Sequence, residues 1–106
     1  MTAERKRSHA DEIALSLGDR GAAERFSAAC AFLLQHLVLK REIPNGRDFL
    51  FSGPERDLQE ALHELVGVEQ KASRFFQFDV VRIDEYFLLR VVASAEHQET
   101  IDGYFG

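Results

Sequence analysis

Between Pro54 and Val92 a helix pattern runs directly into an aromatic-rich hairpin pattern, and the helix carries a carboxylate where its stripe calls for an apolar side chain. Leu58, Ala61, Leu62, Leu65, Glu69 and Ala72 recur at spacings of three and four, so they share one side of a helix. Glu69 therefore faces the core or its rim. A carboxylate withdrawn from water is costly unless it is paired, so the pattern demands a partner: Arg74, another arginine, or a set of backbone amides. Three readings follow. Glu69 is a buried anchor tying the helix end to the sheet, or it is a ligand-facing carboxylate in a small-molecule pocket made of Glu69, Ser73 and Arg74. Simple exposure at a bent helix end is the third.

Phe75 to Ile83 and Tyr86 to Ala93 read as two antiparallel strands joined by Asp84-Glu85. In that register Asp79 lies opposite Arg90, an opposite-charge pair worth about 0.2–1 kcal/mol. Phe76, Phe78, Val80, Phe87, Leu89 and Val91 then share one face, interrupted only by Arg82, and this is the expected core face. The other face holds Gln77, Asp79, Val81, Ile83, Tyr86, Leu88, Arg90 and Val92, which is too apolar to stay fully wet. The patch centred on Val81, Ile83, Tyr86 and Leu88 is expected either to be covered by a helix or to be the interface of a homodimer.

The N-terminal half supplies the rest of a mixed domain. Residues 1–11 are polar, without useful periodicity, and read as a mobile tail or frayed helix ahead of a single domain over residues 12–106. Ile13, Leu15 and Leu17 alternate as in a short strand, with a helical start as the competing reading. From Asp19, a good N-cap, the positions Ala23, Phe26, Cys30, Leu33 and Leu37 trace a helix stripe. Ile43-Pro44-Asn45-Gly46 is turn chemistry, so Lys40–Ile43 and Arg47–Phe51 pair as a hairpin. Ser52-Gly53-Pro54-Glu55 fits a capping box for the Glu69 helix. Ser94 caps a short last helix in which His97, Ile101, Tyr104 and Phe105 share a side. The resulting expectation is an α+β fold: an antiparallel sheet of four or five strands, two main helices packed on it, and a short C-terminal helix.

Composition removes several function classes. A chain of 106 residues is one domain, long enough to bury about 60–68% of the surface its unfolded form exposes. The net charge of −5 disfavours a phosphate backbone as partner, and the single basic cluster is Arg5-Lys6-Arg7 in the tail. The aromatic strands resemble base-stacking sheets only superficially, because most of their rings fall on the core face and no cations flank them. Nucleic acid is not expected. The longest apolar run, Ala28 to Leu34, is too short to cross a bilayer, so no membrane is expected either. One cysteine leaves no intrachain disulfide, and no signal-peptide pattern is present, so the expected location is cytoplasmic.

The remaining chemistry-bearing residues are isolated. Cys30 sits within an apolar stripe, where a thiol behaves as a small hydrophobe. Glu60 and His63 have the Glu-x-x-His spacing of di-metal bundles, but one copy without further ligands does not make a site. No phosphate loop, nucleophile elbow or zinc-ligand series occurs. No catalytic residue, metal or cofactor is therefore assigned.

Arg41-Glu42-Ile43-Pro44-Asn45-Gly46, Phe49-Leu50-Phe51, the run Glu69-Gln70-Lys71-Ala72-Ser73-Arg74-Phe75-Phe76-Gln77-Phe78 and the closing Ile101-Asp102-Gly103-Tyr104-Phe105 together resemble a family of small uncharacterised bacterial proteins. That family has an early strand with a Cys, a helix ending in Glu-Arg-x-Cys-Cys, Phe-rich strands and a C-terminal helix. The likeness spans residues 12–106. The Cys pair is replaced here by Ala72 and Ser73, and the early Cys by Leu15. Thiol chemistry cannot be transferred, and the resemblance implies only Glu69, with Ser73 and Arg74 beside it, as a candidate site. The expected function is a non-catalytic binding or interaction protein, a homodimer holding a small ligand near Glu69 and Arg74. The alternative is an enzyme, or a former thiol or metal protein, in which Glu69 serves as base or ligand.

Overall fold

The computed structural model describes residues 13, 17–72 and 74–105. In chain order its elements are α1 (Arg20–Gln35), β1 (Leu37–Ile43), β2 (Gly46–Ser52), α2 (Glu55–Ala72), β3 (Phe76–Ile83), β4 (Tyr86–Ala93), a 3-10 turn (Ala95–His97) and α3 (Gln98–Gly103). The four strands form one antiparallel sheet in the order β1-β2-β4-β3, and the chain is α+β as its patterning predicts. Residues 1–11, read as a tail, lie outside the described residues. So do residues 14–16 of the short strand expected over Ile13–Leu17; its described ends, Ile13 and Leu17, are both helical.

Asp19 caps α1 as expected, its extended backbone letting Oδ1 accept from the Ala22 amide at 3.2 Å. The helix buries Ala22, Ala23, Phe26, Ala29 and Leu33 and stops at His36. His36 is the whole link to β1. It is held against the end of β2 by two bonds, Ser52 N–H to the His36 carbonyl at 3.0 Å and His36 Nδ1–H to the Ser52 carbonyl at 3.2 Å. These bonds also correct the expected capping box. Ser52 is committed to the sheet, and α2 begins at Glu55 with the Pro54 carbonyl accepting from the Leu58 amide at 2.9 Å.

The β1–β2 hairpin turns at Pro44-Asn45, with Asn45 at a φ of 64°. Gly46 follows because β2 presses on β4 there: a Cβ would lie 1.9 Å from the Val91 carbonyl oxygen. The β3–β4 hairpin turns at Asp84-Glu85 in the expected register, with Asp79 opposite Arg90. Since β4 runs antiparallel to both β2 and β3, the latter two are parallel to each other. Helix α2 makes the crossover between them and leaves a slot that β4 fills.

Among the described residues the buried apolar side chains lie on one side of the sheet. Phe49, Phe51, Phe76, Phe87, Leu89 and Val91 meet Leu58, Leu62 and Leu65 of α2, and α1 stacks on α2 through Phe26 and Leu33. Helix α3 closes the core, with Phe105 edge-on to Phe49 and Phe51 at ring-centre distances of 4.8 and 5.3 Å. Arg47 fastens it: Nε and Nη2 reach both Asp102 carboxylate oxygens at 3.0 and 3.3 Å, and Gln98 Nε2 donates to the Asn45 and Ala93 carbonyls at 2.9 and 2.8 Å. On the same side the far end of β3 is left uncovered, so Val80 and Arg82 stay exposed although their register puts them on the core face.

Candidate functional site: a buried carboxylate and an open sheet face

Glu69 has no solvent exposure. It stands on the α2 stripe as the spacing predicts, and the Tyr104 hydroxyl donates to its Oε2. Tyr104 arrives from the end of α3 and packs edge-on against Phe26 with ring centres 6.0 Å apart. Burial, then the Glu69 charge, pushes the half-buried Cys30 thiol up to about 12. The same two causes, in the same order, raise the Tyr104 hydroxyl far above its ordinary value. Both groups keep their protons at neutral pH. Cys30 is thus no nucleophile there, and Tyr104 remains a donor to the carboxylate.

The two described members of the predicted ligand site occupy different surroundings. Glu69 is inside the core, while Arg74 is exposed and lines a surface cleft with Asn45, Phe75, Gln77 and Val92. Ser73 lies outside the described residues. Glu60 and His63 line another cleft, between α2 and the uncovered end of β3. Among the described residues no group of three or more His, Cys, Asp or Glu side chains is gathered to hold a metal ion. No helix among them is long and apolar enough to cross a membrane.

Val81, Ile83, Tyr86 and Leu88 fall on the side of the sheet away from the helices. The register joins them to residues of the first hairpin. Leu39 pairs with Leu50, Leu50 with Leu88, and Leu88 with Val81, so an apolar row crosses all four strands. Leu39 and Val81 at its ends are 54% and 42% exposed, and Leu50 and Leu88 are half-buried. A second row runs beside it: Arg41 pairs with Asp48, Asp48 with Arg90, and Arg90 with Asp79. Its charges alternate in sign from one edge of the sheet to the other. Ser52, Tyr86 and Ile83 form a third row on the far side of the leucines.

Asp48 is the hub of the charged row. Arg90 grips it with both a 2.8 Å bond from Nε and a 2.9 Å bond from Nη2, and Arg41 Nη2 donates at 2.7 Å. The two guanidiniums cover the carboxylate, which is buried although it lies on the helix-free face. The Arg90 hydrogen bonds hold its carboxyl below the usual carboxylate range; burial opposes this, and Arg41 adds to the lowering. Arg90 is raised in turn, chiefly by its bonds to Asp48. The helix-free face thus carries an apolar stripe beside an ionic row whose buried carboxylate is paired.

Sequence reasoning finds half of this surface. Leu39, Arg41, Asp48 and Leu50 are missed because the pairing that brings β2 beside β4 spans the whole of α2. The available signal was the alternation Leu39-Arg41-Ile43 against Asp48-Leu50, which marks one face of a hairpin but not its neighbour.

Comparison with family models, with curated proteins and with solved structures finds no match to this chain. The resemblance to the Glu-Arg-x-Cys-Cys proteins rests on the motifs quoted above.

Proposed function

We propose that this protein is a non-catalytic interaction module that binds a macromolecular partner through the open face of its sheet. The observation that carries this reading is the apolar row Leu39-Leu50-Leu88-Val81, which spans the sheet and is left without a helix among the described residues. Contiguous apolar surface on a small domain marks an interaction site. The Arg41-Asp48-Arg90-Asp79 row supplies the polar border that such sites have. The burial of Glu69 and its bond from Tyr104 favour the anchor role over the base or ligand role. A cytoplasmic location fits the single cysteine and the acidic balance.

Native mass spectrometry of gently purified protein tests the reading. A macromolecular complex is expected, and Leu88→Lys is expected to lose it while the melting temperature changes by only a few degrees. A bare chain that Leu88→Lys leaves unchanged contradicts the proposal. A retained small molecule that Leu88→Lys does not release points instead to a ligand site off this face, such as the cleft that Arg74 lines.

A further inference from the structure

We infer that the partner of the open face is a second copy of this chain, packed sheet on sheet about a two-fold axis that runs parallel to the strands between β2 and β4. The inference rests on the reading of that face as the interaction surface, and it is carried by the order of the charges. Across β1, β2, β4 and β3 the row reads Arg41, Asp48, Arg90, Asp79: positive, negative, positive, negative. A two-fold along the strands reverses the order of strands and keeps each residue at its height along them. The reversed row is negative, positive, negative, positive. Arg41 then meets the partner's Asp79, while Asp48, already enclosed by Arg41 and Arg90 of its own chain, takes no bond from the partner's Arg90. The same operation lays Leu39 over the partner's Val81 and Leu50 over the partner's Leu88.

The other in-plane two-fold, perpendicular to the strands, fails on the same residues. It keeps the strand order, so when centred on the charged row it sets Arg41 on the partner's Arg41 and Asp48 on the partner's Asp48. When centred on the leucines it sets the charged row against the partner's Ser52, Tyr86 and Ile83, where no charge answers. Only the axis along the strands satisfies both rows at once. Sheets packed face to face lie about 10 Å apart with strands within about 30° of parallel, a gap that leucines fill and an arginine can bridge. The charged row is neutral in sum, whereas the chain carries −5. Two copies therefore meet with less repulsion here than their net charges would suggest.

Sedimentation equilibrium of the full chain at low salt, with Arg41→Glu, Asp79→Lys and the double variant, tests the geometry. Each single change puts like charges across the interface, and each is expected to weaken dimerisation by about 10-fold. The double variant is expected to recover to within about 3-fold of the parent. Within one chain both of its new charges stand beside like-charged neighbours, Asp48 and Arg90, so recovery can come only from between chains. A double variant weaker than either single one overturns the inference, as does a parent that stays monomeric at millimolar concentration. If Leu88→Lys releases a different macromolecule while the charge changes alter no self-association, the second-copy inference fails and the reading of the face stands. If Leu88→Lys releases nothing, that reading fails as well. Melting curves for every variant confirm that the chains compared are folded.

Discussion

Glu69 and Asp48 are both buried carboxylates, and the chain satisfies them by opposite means. Glu69 accepts from a neutral hydroxyl deep among aromatic rings, whereas Asp48 is enclosed by two guanidiniums that themselves reach solvent. Removing the hydroxyl with Tyr104→Phe costs a buried hydrogen bond, and the expected loss is about 1–3 kcal/mol. A double-mutant cycle with Glu69→Leu should show coupling of similar size, because both changes remove the same bond. Chemical denaturation of the four proteins measures it. For Asp48 the folded-state value lies below the unfolded one of about 3.9. Its contribution is therefore complete above the unfolded value and is lost as the pH falls through the lowered folded value. Asp48→Asn is expected to be less stable than the parent at neutral pH, by about 1–3 kcal/mol, and the gap should narrow below about pH 4. Melting temperatures across that range give the comparison.

At the scale of elements, the legible features are those fixed by neighbours in sequence. The three- and four-residue spacings of α2, and of α1 as far as Leu33, follow from the helical repeat, whereas Leu37, read as the end of the α1 stripe, opens β1; Asp19 capped its helix as its chemistry requires. Ser52 failed as a cap because an interaction with His36, sixteen residues earlier, had a stronger claim on its backbone. Arg47 was not legible as the fastener of α3 for a similar reason, since its partner Asp102 is 55 residues away. That contact has a measurable consequence. Arg47→Ala is expected to cost about 1–2 kcal/mol and to speed amide exchange at Ile101, Tyr104 and Phe105 more than in β2 and β4, because α3 opens locally before the sheet does. Uniform exchange changes across the chain would show that α3 is not an independent unit.

At the scale of the whole molecule, among the described residues α1, α2 and α3 lie on one side of the sheet and the other side carries no helix. The alternation in β3 and β4 announced this imbalance, because it made both faces apolar and only two main helices were available to cover them. It did not announce the partner row in β1 and β2, which exists only once α2 has carried the chain across the sheet. Glu69, the most conspicuous oddity of the sequence, thus belongs to the core, and the surface with recognition chemistry was spread over four separate strands. The most direct test of that surface is methyl NMR with a soluble paramagnetic agent, read at Leu39, Leu50, Leu88 and Val81 over a dilution series. These four methyl sites are expected to be shielded at high protein concentration and to become accessible together on dilution, while Leu34 on α1 stays accessible throughout. Full accessibility of all four at every concentration would contradict this.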